Sequence, residues 1–170
     1  MDEAEFDEFY RASYRRLTGQ VYAMIGNLDE AQECVQEAFA RAWAHRRKLE
    51  KAQHPEAWVR TTAFRLAVSR WRTTMRGRRA ADETGPTSLQ EPPLDENHVA
   101  LVAALRQLPE AQRRAIVLHH VADLPVRAVA AEVGVSEGTI KARLSRGRTA
   151  LAELLAHDAN DGLQGGVSHA

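Results

Sequence analysis

Residues 129 to 151 read VAAEVGVSEGTIKARLSRGRTAL, and the way this stretch breaks and restarts sets the fold class of everything around it. Just upstream, Pro125 opens a short apolar-periodic segment, VRAVAAEV, in which Val126, Val129, Ala130 and Val133 recur at helical spacing. Gly134 stands where a helix closes in a left-handed turn. Ser136 supplies a hydroxyl cap for a following helix whose buried stripe is Ile140, Leu144 and Leu151. Helix, glycine turn and capped helix together predict a helix-turn-helix, whose second helix enters the major groove of DNA. Opposite Ile140 and Leu144 lie Gly138, Ala142, Ser145 and Thr149, with Thr139, Lys141, Arg143, Arg146 and Arg148 distributed around them. A small centre admits base edges close to the helix backbone, while Lys and Arg reach phosphates or guanine acceptors.

Upstream of that motif, Val99, Leu101, Val102, Leu105 and Leu108 precede Pro109, and EAQRRAIVLHHVADL reads as a second amphipathic helix. His119 and His120 are adjacent, face different ways on a helix and make a poor chelate, so they are expected to be partly exposed helix residues. The text from Ala80 to Asn97, AADETGPTSLQEPPLDEN, holds three prolines, five acids and no base, which makes it an acidic, flexible linker. The linker divides the chain into residues 1–79, the linker 80–97, a helical unit 98–156 and a disordered tail 157–170.

The N-terminal unit is also helical by its periodicity. Phe6, Phe9, Tyr10, Tyr14, Leu17, Val21 and Ile25 predict a helix from about Glu3 to Ile25, broken by Gly26-Asn27. Next, LDEAQECVQEAFARAW opens with acids in its first turn, where the helix dipole favours them. It carries Ala31, Cys34, Val35, Ala38, Phe39, Ala42 and Trp43 on one face. Cys34 sits on that stripe as a small apolar residue. A third helix begins near His54-Pro55 and runs to about Arg76, because Pro suits the first helical position. On a single continuous wheel Phe64, Val68, Trp71 and Met75 fall on one side, Val59, Ala63 and Leu66 roughly opposite, and Thr61, Arg65, Arg72 and Arg76 between them. Guanidinium groups flanked by aromatic rings suit single-stranded nucleic acid, which needs phosphate partners and stacking surface. With no strand-like alternation of useful length, the expected fold is all-α, two small helical domains joined by the linker.

Charge patterning supports the same partners. The chain has 23 basic and 23 acidic residues, yet residues 41–80 carry a net +10 and residues 111–150 a net +4. Acidic blocks of −6, −5 and −3 fill residues 1–40, 81–110 and 151–170. Concentrated basic surface gathers phosphate, and acidic surface repels it. No apolar run approaches the roughly 18 residues that span a bilayer, and MDEAEFDEFY is acidic where a signal peptide would be basic, so a cytoplasmic protein is expected. Cys34 has no partner cysteine. His45, His54, His98, His119, His120, His157 and His169 show no metal-ligand spacing around it. With no phosphate-cradling glycine loop and no nucleophile-base arrangement either, neither an enzyme nor a cofactor is expected.

Three stretches carry a resemblance: LDEAQECVQEAFARAW, HPEAWVRTTAFRLAVSRWR and LPEAQRRAIVLHHVADLPVRAVAAEVGVSEGTIKARLSRGRTAL. In this order and spacing the chain resembles the extracytoplasmic-function sigma factors of the bacterial sigma-70 family. The resemblance implies a non-catalytic subunit that directs core RNA polymerase to promoters and helps melt the −10 element. It places Asp29, Glu33, Gln36, Glu37 and Arg41 on the β′ clamp helices of the polymerase. It gives Trp58, Arg60, Thr62, Arg65, Ser69 and Arg72 to the −10 element. Ser136, Glu137, Thr139, Lys141, Ala142, Arg143, Ser145 and Arg146 fall to the −35 element. The linker would thread towards the polymerase active cleft and RNA exit path, which suits its acidity. Core polymerase and promoter DNA are the implied partners, with an anti-sigma factor that no residue of the sequence identifies.

One departure from the family pattern bears on specificity. Members commonly have Asn where this chain has Arg65, and often Asp where it has Ser69. In the family the Asn lies in a loop that captures a flipped −10 base, and such a loop would interrupt the single-helix wheel. A base pocket matches donors to acceptors and Arg donates only, so a different −10 preference is expected. The competing possibility is a self-sufficient helix-turn-helix regulator, its N-terminal helices sensing a ligand or dimerising, that binds operator DNA as a dimer.

Overall fold

A computed structural model of the chain describes residues 1–78 and 96–164, and every regular element among them is helical. The chain divides into two compact units, the first holding α1 to α4 and the second α5 to α8.

In the first unit α1 (Glu3–Ile25) begins with a reciprocal cap. The Asp2 carboxylate accepts from the Glu5 amide at 2.8 Å, and the Glu5 carboxylate accepts from the Asp2 amide at 2.8 Å. Gly26 closes the helix in the left-handed region with φ 70°, and Asn27 at once caps α2 (Leu28–Ala44) by accepting from the Glu30 amide. One helix therefore stops and another starts within two residues, as the Gly26-Asn27 pair predicts. The single turn α3 (Arg46–Leu49) was not anticipated; it exists to bury Leu49. Pro55 then starts α4 (Pro55–Arg78), whose hydrogen-bonded course is unbroken through Arg65 and Ser69.

Helices α1, α2 and α4 pack against one another. Their shared core is Leu17, Val21 and Met24 from α1, the Ala31–Cys34–Val35–Ala38–Ala42 stripe of α2, and Val59, Ala63, Phe64 and Ala67 from α4. The α4 wheel drawn from sequence is corrected here. Val59 and Ala63 are buried with Phe64 rather than opposite it, because α4 is covered by two helices and buries a wide face. Near one end, Phe6, Phe9, Tyr10, Phe39 and Trp43 meet edge to face, with Phe6 and Trp43 centroids 5.1 Å apart. Cys34 lies fully inside, where burial pushes its thiol pKa up.

The second unit comprises α5 (Glu96–Gln107), α6 (Glu110–Ile116), α7 (Val126–Val133) and α8 (Glu137–Gln164). Helix α6 does not stay regular to Leu124 as its periodicity suggested. It widens into a π turn over Val117–Val121, and Asp123 takes a left-handed φ of 55° before Leu124-Pro125. Pro125 disfavours helical backbone at Leu124, so the helix cannot continue through it. His119 Nδ1 lies 2.7 Å from the Leu124 carbonyl oxygen and ties the turn down, leaving His119 half-buried and His120 exposed. Helix α8 packs on α5, α6 and α7 around Val102, Leu105, Ile116, Leu118, Val129, Ile140 and Leu144.

Two boundaries differ from expectation. The tail expected from residue 157 is in fact helical as far as Gln164, with His157 and Asp161 one turn apart at 3.5 Å. Nothing in His157–Asn160 breaks a helix, since the tail's glycines come later. Of the expected linker 80–97, Glu96 and Asn97 already belong to α5; its remainder, and tail residues 165–170, lie outside the described residues.

Candidate nucleic-acid interface

The turn between α7 and α8 is built by two local devices. Gly134, at φ 80°, lets its own amide and that of Val135 both reach the Ala130 carbonyl, at 2.9 and 3.1 Å. The Ser136 hydroxyl then accepts from the Thr139 amide at 3.1 Å and pairs with the Thr139 hydroxyl at 2.9 Å. This fixes where α8 begins and therefore which of its faces points inward. Ile140, Leu144 and Gly147 go inside. Gly138, Lys141, Ala142, Ser145, Arg146, Arg148 and Thr149 are exposed, Ser136 and Glu137 lie exposed at the tip, and Thr139 and Arg143 are half-buried. All eight candidate −35 residues thus fall on the first turns of one helix and its cap.

Gly147 was not anticipated as a packing residue. A Cβ there would lie 3.1 Å from Ile116 Cγ1 and 3.4 Å from its Cδ1, so glycine is what lets α6 approach α8. Its position one turn beyond Leu144 was the only hint in the sequence.

On α4 the candidate −10 residues separate. Arg65, Ser69 and Arg72 are exposed, and Trp58 and Thr62 are half-buried. Arg60 is the exception and corrects the sequence assignment: it is only 4% exposed. Its Nη1 donates to Gln20 Oε1 at 3.4 Å and stands 3.8 Å from Glu56 Oε1. Glu56 in turn receives Arg16, Nε to Oε1 at 2.9 Å and Nη2 to Oε2 at 2.6 Å. Arg60 therefore ties α4 to α1 from inside and cannot meet DNA from where it lies.

The polar face of α2 is similarly divided. Asp29 and Gln36 are exposed, with Gln36 donating to the Tyr14 hydroxyl at 3.4 Å. Arg70, a residue missed by the sequence, spans Glu33 and Glu37 at 3.0 and 2.7 Å and clips the acidic face of α2 to α4. Burial lowers its guanidinium pKa, but the neighbouring Cys34 and the Glu37 and Glu33 carboxylates together outweigh that and leave it raised. Glu37 also accepts from Arg41. Between α2 and α4, Arg41, His45, Trp58, Thr62, Arg65 and Leu66 line a cleft of about 410 Å³. Among the described residues, no group of His, Cys, Asp and Glu could hold a metal ion, and no helix is long and apolar enough to cross a membrane.

Fold and surfaces define a class: a two-unit helical protein with a helix-turn-helix whose second helix is capped and basic in one unit and a basic, aromatic-flanked helix in the other. Comparison with known proteins places it within that class. Residues 9–77 match the Sigma-70 region 2 family and residues 98–151 the Sigma-70 region 4 family. The chain is 32% identical over 136 residues to the ECF RNA polymerase sigma factor EcfG of Rhodopseudomonas palustris, covering 78% of this chain and 75% of that protein. It is 27% identical over 161 residues to the RNA polymerase sigma-E factor of Streptomyces coelicolor, covering 91% and 88%. Among solved structures it is similar to the sigma factor RpoE from Bartonella quintana, determined in complex with the anti-sigma factor NepR. That likeness has a TM-score of 0.75 at 27% identity and covers 89% of this chain and 97% of the other. The chain belongs to the extracytoplasmic-function sigma factors of the sigma-70 family, which direct RNA polymerase to promoters.

Proposed function

We propose that the two units divide promoter recognition between them, with α2 holding the polymerase. The α8 face of Ser136, Glu137, Thr139, Lys141, Ala142, Arg143, Ser145 and Arg146 reads the −35 element in the major groove. Exposed Arg65, Ser69 and Arg72, with Trp58 and Thr62 beside them, engage the −10 element as it opens. Asp29, Glu33, Gln36, Glu37 and Arg41 form the docking face for the β′ clamp helices. Arg60 leaves the −10 set because it is buried. The protein works in the cytoplasm as a non-catalytic subunit. An anti-sigma factor joins its partners by analogy with RpoE from Bartonella quintana, which was solved bound to one.

The observation that carries this reading is the coexistence of two separately scaffolded basic surfaces, one on α4 in the first unit and one on α8 in the second, with an acidic edge on α2 of the first unit. A dimeric operator-binding regulator has use for only the second of these. Reconstitution with core polymerase on a genomic library, followed by mapping of run-off start sites, tests it. Start sites sharing −35 and −10 elements, absent with core alone, are expected. Tight, specific operator binding by the isolated protein as a symmetric dimer, without promoter-specific transcripts, would overturn it.

A further inference from the structure

Helices α6 and α8 meet where Gly147 has no Cβ to hold Ile116 away, and two basic side chains flank that contact. His120 stands four residues past Ile116 on the π turn, and Arg148 follows Gly147 on α8. Both are exposed. Arg148 shares an edge of α8 with Lys141, since seven residues make about two turns, and that edge borders the small face offered to the major groove. The His120 ring has a fixed neighbour. His119 Nδ1 lies 2.7 Å from the Leu124 carbonyl oxygen, which only accepts, so Nδ1 carries the proton and the ring is anchored. Against it the His120 ring sits edge to face, with centroids 4.7 Å apart. Wide turns of this kind inside helices recur at functional sites.

The electrostatics of the spot suit an anion. Partial burial, then His119 from the same turn and Arg148 from α8, push the His120 pKa below the ordinary histidine value. Arg113 and Arg114 of α6 and Arg127 and Glu132 of α7, the other elements packed on the turn, are not among the groups that act on it. In the free protein the imidazole therefore resists protonation. A phosphate oxygen beside it reverses that preference, because an adjacent negative charge favours the imidazolium. The DNA backbone carries such a charge at every nucleotide along the groove that receives α8.

We infer that His120 and Arg148 clasp one backbone phosphate of the promoter beside the −35 element, His120 doing so as the imidazolium, so that binding takes up a proton. The inference rests on the assignment of α8 to the −35 element. Affinity is greatest at pH below the His120 pKa of the free protein. It falls as pH rises from there to the higher pKa of the bound state, and it is level beyond.

The test is binding of the holoenzyme to a promoter fragment, read by fluorescence anisotropy from about pH 5 to about pH 8 and over a range of salt. Measured against His120→Gln, the wild-type chain should lose about threefold to tenfold in affinity across that range, as a pKa raised by about half a unit to one unit requires. At the acid end His120→Gln should lower the salt slope by about 0.9, one phosphate contact, and at the alkaline end it should lower nothing. The loss should be alike on every −35 sequence, because phosphate carries no sequence information. His120→Lys, whose charge persists throughout, should hold the acid-end affinity at both ends. Arg148→Ala should lower the salt slope at both ends. If the wild-type chain and His120→Gln track each other through the pH range, or if their salt slopes agree at its acid end, the inference is overturned, while promoter-specific start sites leave the sigma assignment standing. No promoter-specific transcripts at all would overturn both.

Discussion

Arg60 and Arg65 are the same residue type five positions apart on one helix, yet they have opposite fates. Arg60 is turned inward onto Gln20 and Glu56, and Arg65 is turned outward into the cleft. A basic residue on a helix wheel carries no label saying whether its charge is solvated or paired inside. That depends on whether the neighbouring helix offers an acceptor, here Gln20, forty residues away in sequence. Removing a hydrogen-bonded charge from an interior leaves its partners unsatisfied. Arg60→Ala should therefore destabilise the first unit by roughly 1–3 kcal/mol, with no change in −10 preference among the molecules that remain folded. Arg65→Ala should do the reverse, leaving stability within about 0.5 kcal/mol, as exposed substitutions usually do. Chemical denaturation followed by circular dichroism, set beside promoter selection with the holoenzyme, separates the two.

Among the elements, α8 shows best how local and tertiary constraints combine. Its start is local, fixed by Gly134 and Ser136, and was legible from residue types alone. Its close packing on α6 is not local, because the space at Gly147 is filled by Ile116 from the other helix. Gly147→Val should cost about 1–3 kcal/mol through overpacking. Gly138, where the nearest atom to an added Cβ is Ser136 Oγ at 3.9 Å, has room. Gly138→Ala should stabilise the chain by about 0.4–1 kcal/mol, by reducing the conformational freedom of the unfolded chain. Urea titration of both variants checks the signs. The same contrast runs through the fold. Helices α1 and α2 were readable because their periodicity is strong and a break lies between them. The turn α3, the π turn after α6 and the orientation of α4 were not, since each is settled by what packs against it.

For the whole molecule, zero net charge is the sum of segregated blocks, and the structure gives each basic block its own scaffold. Binding that neutralises phosphates releases counterions, so promoter affinity of the holoenzyme should fall steeply with salt. Arg148, exposed on α8, lies outside the −35 reading set. Arg148→Ala should weaken binding across promoters alike and reduce the salt slope by about 0.9, the share of one phosphate contact. Filter binding or fluorescence anisotropy from low to moderate salt measures it.

The sequence by itself determined the helical class, the helix-turn-helix with its turn and cap, the two basic blocks and the family resemblance, because periodicity, capping and glycine geometry act over a few residues. Only the tertiary structure decided that Arg60 is a brace, that Arg70 clips α2 to α4, that Gly147 is a contact, and that Arg41 and Arg65 share a cleft. Those outcomes depend on which side chains meet across helices that are far apart in the chain. Spacing along one helix cannot specify its neighbour.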